Sequence, residues 1–514
     1  MGIAKRQNKI ITTLRERWCV EEAIRGVART FGSVAAEREA KRIADMGAQV
    51  IPALTGLLDT SDPRLLGSLG LVATKLDRKE IALALRDVAA WSNRSDRARL
   101  AALLILERFL GEEPDDSLYR GLESPETAVA QSLVEMVARA AHERDILGEY
   151  VRTVEGQSDD VIELVLDITF DLGPEGAVLP FWALAQSKRQ DVAESVLYRM
   201  GSLRSPDSAV MLQALRPTLP PARRALAERS LRKLQFGGVS VPSLDAPHPS
   251  WRALVSPVDG QGSQSVWFQL EPQRDAPARV FCVLVNDLAG VWDAVYDRNG
   301  ELEAYLPSER LPGKVHDAVF PGALAALPLL EMTFDAGRRL VRDALAVNHA
   351  ADRMPPLNYA VLSDALWKWD GCSLAESCPV EPPSAAEVRA LRAHTADLLD
   401  HPAFGAWFVQ SEALFSVARQ LGWGATAMGQ PGQSELVSGL VRLHFGPEEV
   451  VRYRSRLERM AEWLSVAGEK DIARLALVAA LTLEEGGPEN HPLARHMVEL
   501  GLAAALRDLS SALS

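Results

Sequence analysis

Apolar residues in the first part of the chain recur at spacings of three and four. Val50, Ile51, Leu54, Leu57 and Leu58 fall on one face of a helix over 48–58. The break Asp59-Thr60-Ser61-Asp62-Pro63 follows. Asp62 is placed to cap the next helix, and Pro63 suits its first turn. That helix carries Leu65, Leu66, Leu69, Val72 and Leu76. The same grammar predicts helices within 100–110, 126–140 and 161–172. Gly173-Pro174-Glu175-Gly176 opens another, with Val178, Leu179 and Trp182. A partner with Val192, Val196, Leu197 and Met200 follows, and Ser205-Pro206-Asp207 starts a third.

Two pieces resemble the first helices of HEAT-type repeats. They are Gly47-Ala48-Gln49-Val50-Ile51-Pro52-Ala53-Leu54 and Gly176-Ala177-Val178-Leu179-Pro180. In that family a proline sits in or near the first helix, and an aspartate and a small residue mark the turn. The resemblance implies an α-solenoid over residues 1–236, a quasi-linear array whose surface grows with length.

From Phe236 the texture changes. A Gly/Pro-rich linker runs through Gly237, Gly238, Pro242, Pro247 and Pro249. Strand signals follow at 265–270, 280–285, 291–296 and 302–306, the last two flanking Asn299-Gly300. That dipeptide predicts a type I′ hairpin. A helix is expected over 322–347. Residues 251–370 therefore read as a small α+β domain with an antiparallel sheet. A second breaker-rich stretch, 371–384, precedes helices expected at 385–400, 404–421, 434–443, 447–466, 470–484 and 492–512. Ser384 and Glu387 have capping-box spacing. The fold expected is mainly α: a HEAT-like array at 1–236, an α+β domain at 251–370 and a helical bundle at 385–514.

Composition adds limits. The 514 residues suggest about three domains. With 47% hydrophobic and 24% charged residues, the chain is an ordinary globular one. Four scattered cysteines indicate reduced thiols and a cytoplasmic setting. Cys372 and Cys378 lack the spacing and second pair of a zinc site. Ile10 and Ile11 are followed by Thr12 and Thr13 instead of a signal-peptide core, and no apolar run approaches a membrane span. A net charge of −13 opposes attraction to phosphate backbones. Arg216, Arg223, Arg224, Arg229, Arg232 and Lys233 nevertheless form a local basic cluster, read as a solvated helix face.

Chemical motifs are sparse. Gly424 to Pro431 has the glycine spacing of a phosphate loop without its lysine. His394, Asp397 and His401 could share a helix face, but His401 precedes Pro402 and reads as a helix end. Asp297-Arg298-Asn299-Gly300 matches part of a calcium loop, yet that register places Val295 first and Leu306 twelfth, where acids are required. Asp287 lies just past the buried strand signal, Asp293 beside the expected hairpin, and with His316 as a partner they are the first choice for an enzyme site. Trp367 and Trp369 would share a face in an extended segment. No residue is assigned as catalytic, cofactor-binding or metal-binding. The reading favoured is a non-enzymatic scaffold using its helical-repeat surface to bind a protein, without membrane association. An enzyme or small-ligand binder centred on Asp287 and Asp293 is second, and nucleic-acid binding by the repeat groove third.

Overall fold

The computed structural model describes residues 17, 19–28, 33–47, 49–60, 62–91, 93–119, 125–140, 143–248, 250–270, 279–297, 300–321, 325–370, 380–421 and 433–511. The chain divides into two compact units, Met1–Leu184 and Ala185–Ser514. The division lies within the region read as one repeat array, so the helices from 190 to 236 group with the sheet. None of the described helices is long and apolar enough to cross a membrane.

In the first unit, residues 19–28 are helical, followed by α1 (Ser33–Ala44), α2 (Val50–Gly56), α3 (Pro63–Ala73), α4 (Arg78–Ala90) and α5 (Asp96–Leu104). A π-turn over Ile105–Phe109 extends α5. Then come α6 (Asp116–Tyr119), α7 (Pro125–Ala140), α8 (Asp145–Glu155), α9 (Asp159–Asp171) and α10 (Gly173–Leu184). The capping is as the sequence predicts: Asp62 accepts the Arg64 N–H, with Pro63 at the first helical position. Asp77 and Ser95 cap α4 and α5 in the same way. Packing joins helices close in sequence, such as α4 with α5 and α9 with α10. Val50, Leu54, Leu58, Leu69, Val72, Ile81 and Leu85 belong to one buried core.

The second unit opens with α11 (Gln190–Met200), α12 (Pro206–Leu215) and α13 (Pro221–Phe236). The sheet strands are β1 (Arg252–Val255), β2 (Ser263–Leu270), β3 (Arg279–Asn286), β4 (Gly290–Tyr296), β5 (Val315–Ala318) and β6 (Leu327–Thr333). Their order is β4-β3-β2-β1-β6-β5, and every pairing is antiparallel. Period-two alternation gives the sheet two buried faces. Ala253, Phe268 and Phe281 form one row, which meets α14 (Phe334–Ala350) through Phe334 and Gly337, and Tyr359. A Cβ on Gly337 would collide with Ala253 and Phe268, so glycine permits this close approach. Leu254, Trp267 and Cys282 face the opposite way and pack with Leu306, Ala318 and Phe320. Trp267 and Phe320 stack at 4.8 Å.

Two sequence expectations fail here. Residues 302–306 are not a strand: Glu303–Tyr305 is a 3-10 turn. The Asp297 carboxylate accepts the N–H groups of Glu301, Leu302 and Glu303. That turns the chain away from ladder pairing, so the expected hairpin does not form. Asn299 lies outside the described residues. The stretch 322–347 is not one helix either, because Leu327–Thr333 is β6. Pro328 and Leu329-Leu330 lie on this strand between β1 and β5, and Thr333 then caps α14.

Beyond the sheet lie α15 (Leu357–Leu362), α16 (Asp364–Trp367), α17 (Ala385–Leu391), α18 (Glu412–Leu421), α19 (Gln433–His444), α20 (Pro447–Val466), α21 (Lys470–Thr482) and α22 (Pro492–Ser511). The Ser384–Glu387 capping box is formed. Residues 392–400 continue α17 as a 3-10 helix, and α18 starts at Glu412 instead of Phe404. Helix α20 packs on the sheet ends: Trp463 donates to the Val255 carbonyl at 2.9 Å and Arg459 to Gln264 at 2.7 Å.

Candidate functional site

The acids nominated from sequence do not meet. Asp287 follows β3 and is gripped by Arg456 of α20, with contacts of 2.5 and 3.1 Å. Arg456 also donates to the Gly260 carbonyl at 2.8 Å and lies 4.7 Å above the Tyr453 ring. Burial works against the Arg456 charge, but the Asp287 carboxylate outweighs it and holds the guanidinium more firmly protonated than usual. Asp293, in mid-β4, accepts its neighbour Ala294's N–H at 2.8 Å and the side-chain amide of Asn358. His316 on β5 lies 3.8 Å from Glu331, and its Nε2 makes no hydrogen bond. Asp287 and Asp293 thus have separate partners.

Asp293 belongs instead to a clip on the open edge of the sheet. Asn358 donates to the Ala294 carbonyl at 2.8 Å. Asn348 of α14 accepts the Val291 N–H at 2.7 Å and donates to the Ala289 carbonyl at 2.9 Å. These amides satisfy backbone groups that a further strand would take, one way of blunting an edge. Gly290 has φ +73°, and a Cβ there would strike Asn348. Sequence spacing carries no signal for contacts this far apart.

The histidine set also separates. His394 lies 3.3 Å from Asp397 on the exposed 3-10 helix, whereas His401 caps the next turn and pairs with Glu469 at 2.6 Å. No group of three or more His, Cys, Asp or Glu side chains able to hold a metal occurs among the described residues. Trp367 is buried with its indole N–H on the Tyr359 hydroxyl, and Trp369 edges against Trp251. The pair is packing, not an exposed anchor. Cys372, Cys378 and the segment from Gly424 to Pro431 lie outside the described residues.

The basic cluster divides by its contacts. Arg223 is buried and donates to the Ser187 carbonyl at 2.7 Å; burial lowers its pKa. Lys233 reaches Ser202 and sits over the Tyr198 ring. Arg216 and Arg224, however, line a cleft of 460 Å³ with Arg342, Asp343, Ala346 and His349 of α14. Arg342, Ala346 and His349 share a face of α14 at i, i+4 and i+7. That spacing is visible in the sequence, but its pairing with Arg216 and Arg224 is not. Arg224 donates from Nε and Nη2 to the Arg216 and Leu219 carbonyls at 3.0 and 3.1 Å. Neither bond uses its Nη1 hydrogens. Arg216 approaches Glu228 at 3.3 Å.

His349 lies 3.0 Å from the Thr218 carbonyl. The carbonyl can only accept, so His349 Nε2 carries the hydrogen. Burial lowers its pKa; the Thr218 bond opposes this, while Arg224 and Arg223 add to it. Burial raises the Asp343 pKa against the pull of Arg342, Arg339 and Arg459. The cleft thus sets three guanidiniums and an imidazole against one carboxylate.

On the first unit, Leu83 of α4 and Trp91 just past its end are 61% and 60% exposed. Val134 on α7 and Val161 and Leu164 on α9 are exposed too. Comparison with protein-family models, curated proteins and solved structures gave no match.

Proposed function

We propose that the chain is a non-enzymatic interaction protein, a scaffold that binds a protein partner through the helical surface of its first unit. The supporting observation is the exposure of Leu83 and Trp91 at one helix and its cap. Single exposed apolar residues are ordinary, but tryptophan is enriched among side chains that dominate interface energies. Short capped helices packed on sequence neighbours support a HEAT-like array as the platform. A cytoplasmic setting belongs to the same proposal. The enzyme reading gains nothing from Asp287 and Asp293, which are occupied by Arg456 and by the edge clip.

Affinity capture with cross-linking tests the proposal. The full chain is expected to retain a specific protein that a Leu83→Asp/Trp91→Ser variant of unchanged circular dichroism loses. Capture of no specific partner, or of the same set by both chains, would refute it.

A further inference from the structure

We propose that the cleft between the α12–α13 turn and α14 binds a small organic phosphate monoester, its phosphoryl group held by Arg216, Arg224 and Arg342. Charge selects the ligand class. Three arginines and one aspartate line the cleft; with Glu228, 3.3 Å from Arg216, counted in, +3 − 2 leaves +1. An anion is therefore favoured, and three guanidinium groups lining one cleft suit the three terminal oxygens of a phosphate monoester better than the two of a carboxylate. Guanidinium forks match phosphate oxygens with paired hydrogen bonds.

Geometry limits ligand size. At 460 Å³ the cleft exceeds a bare ion and falls within the range of about 300–1,000 Å³ typical of small-molecule sites. Ala346 keeps the α14 wall low between Arg342 and His349, leaving room for the organic part. Arg224 is fixed in advance by the Arg216 and Leu219 carbonyls, so less side-chain freedom is lost on binding. Asp343 is the one opposing charge in the lining. The site is independent of the first-unit surface proposed above to bind a protein.

Calorimetric titration of the full chain at low salt provides the test, with adenosine monophosphate, inorganic phosphate and adenosine as probes. The monophosphate is expected to bind saturably, phosphate more weakly, and adenosine not at all. Arg342→Gln should weaken monophosphate binding by about tenfold, the loss of a charge-assisted hydrogen bond. Asp343→Asn should tighten it by about threefold or more by removing the competing carboxylate. No saturable monophosphate binding up to about 10 mM, equal affinity for adenosine, or unchanged affinity in a folded Arg342→Gln chain would overturn the proposal. If Arg342→Gln does not fold, Asp343→Asn decides, and unchanged or weaker binding overturns it.

Discussion

The two units handle charge differently. In the first, ion pairs lie on or near the surface, some within a helix: Arg25 with Glu22, Arg42 with Glu39. Arg99 is its one buried arginine among the described residues. The second unit buries Arg223, Arg252, Arg338 and Arg456, each bonded to partners distant in sequence. Arg338, for example, donates from α14 to the Leu366, Trp369 and Asp370 carbonyls. The first unit coheres through apolar faces and caps between neighbours. The second adds buried polar staples that fix long loops against the sheet.

The strongest way to break the contrast is at Arg252. Its guanidinium binds Glu331 at 2.6 Å, Gln269, and the Pro307 and Glu309 carbonyls. Glu331 is 1% exposed and also accepts the Leu311 N–H. Arg252→Leu strands that carboxylate, and loss of one partner from a buried pair costs about 3–5 kcal/mol. Urea unfolding of the full chain, with hydrogen exchange in peptides spanning 307–333, measures the effect. A loss under about 1 kcal/mol would mean that the staple is ornamental and the units differ less than their burial implies.

His491 offers a milder, pH-gated break in the second unit. It is fully buried next to Thr482, at 3.0 Å. Thr482 donates its hydroxyl to the Val478 carbonyl, so His491 Nε2 carries the hydrogen and Nδ1 is an acceptor with no partner. Burial pushes its pKa down from 6.5 to about 4, with Arg392 adding to the shift. The unfolded chain therefore binds this proton more tightly. Stability is full above pH 6.5 and falls as pH drops toward 4, by on the order of 3 kcal/mol. Carboxylates titrate in the same window, so the difference between the wild-type chain and His491→Gln isolates the histidine. Parallel stability curves from pH 7 to 4 would remove it from the account.

The same contrast explains what the sequence made legible. Helix starts at Asp62 and Ser205 were readable because cap, proline and apolar stripe lie within a few residues, and the start at Ser384 because Glu387 completes its capping box. Strands β2, β3 and β4 were readable from β-rich apolar runs. Strand β1 is only four residues long, and β6 opens Leu-Pro-Leu-Leu, which has no alternation. The turn at Asp297 depends on one carboxylate collecting three N–H groups, which propensity does not encode. For the site, the sequence marked Arg216 and Arg224 but gave no reason to join them to Arg342 and His349 more than 100 residues later. It gave Asp287 and Asp293 prominence from nearness along the chain, which is not nearness of function.

In the first unit a single cap should matter more than a surface ion pair. Asp77 accepts the Lys79 and Glu80 N–H groups at 3.0 and 3.1 Å. Asp77→Ala should cost about 1 kcal/mol. The loss should appear as faster hydrogen exchange in α4, without change in the second unit. Equal loosening of both units would contradict local cohesion.

The smallest effect is expected at Glu39. Its carboxylate meets Arg42 one helical turn on, at 3.0 and 3.1 Å to Nε, on an exposed face. The Arg42 hydrogen bond lowers the Glu39 pKa below its ordinary 4.5, with burial opposing weakly. The pair's contribution is present above pH 4.5 and fades as pH falls through the lowered value. Solvent screening and lost side-chain freedom keep such i,i+3 pairs near 0.3 kcal/mol, a rough figure for exposed helices. Glu39→Gln should therefore leave urea unfolding at pH 7 nearly unchanged, and salt should erase any residue of the effect. A loss above about 1 kcal/mol would place a charge among the determinants of the first unit. The difference between an array held by apolar faces and a sheet unit stapled by arginines would then be one of degree.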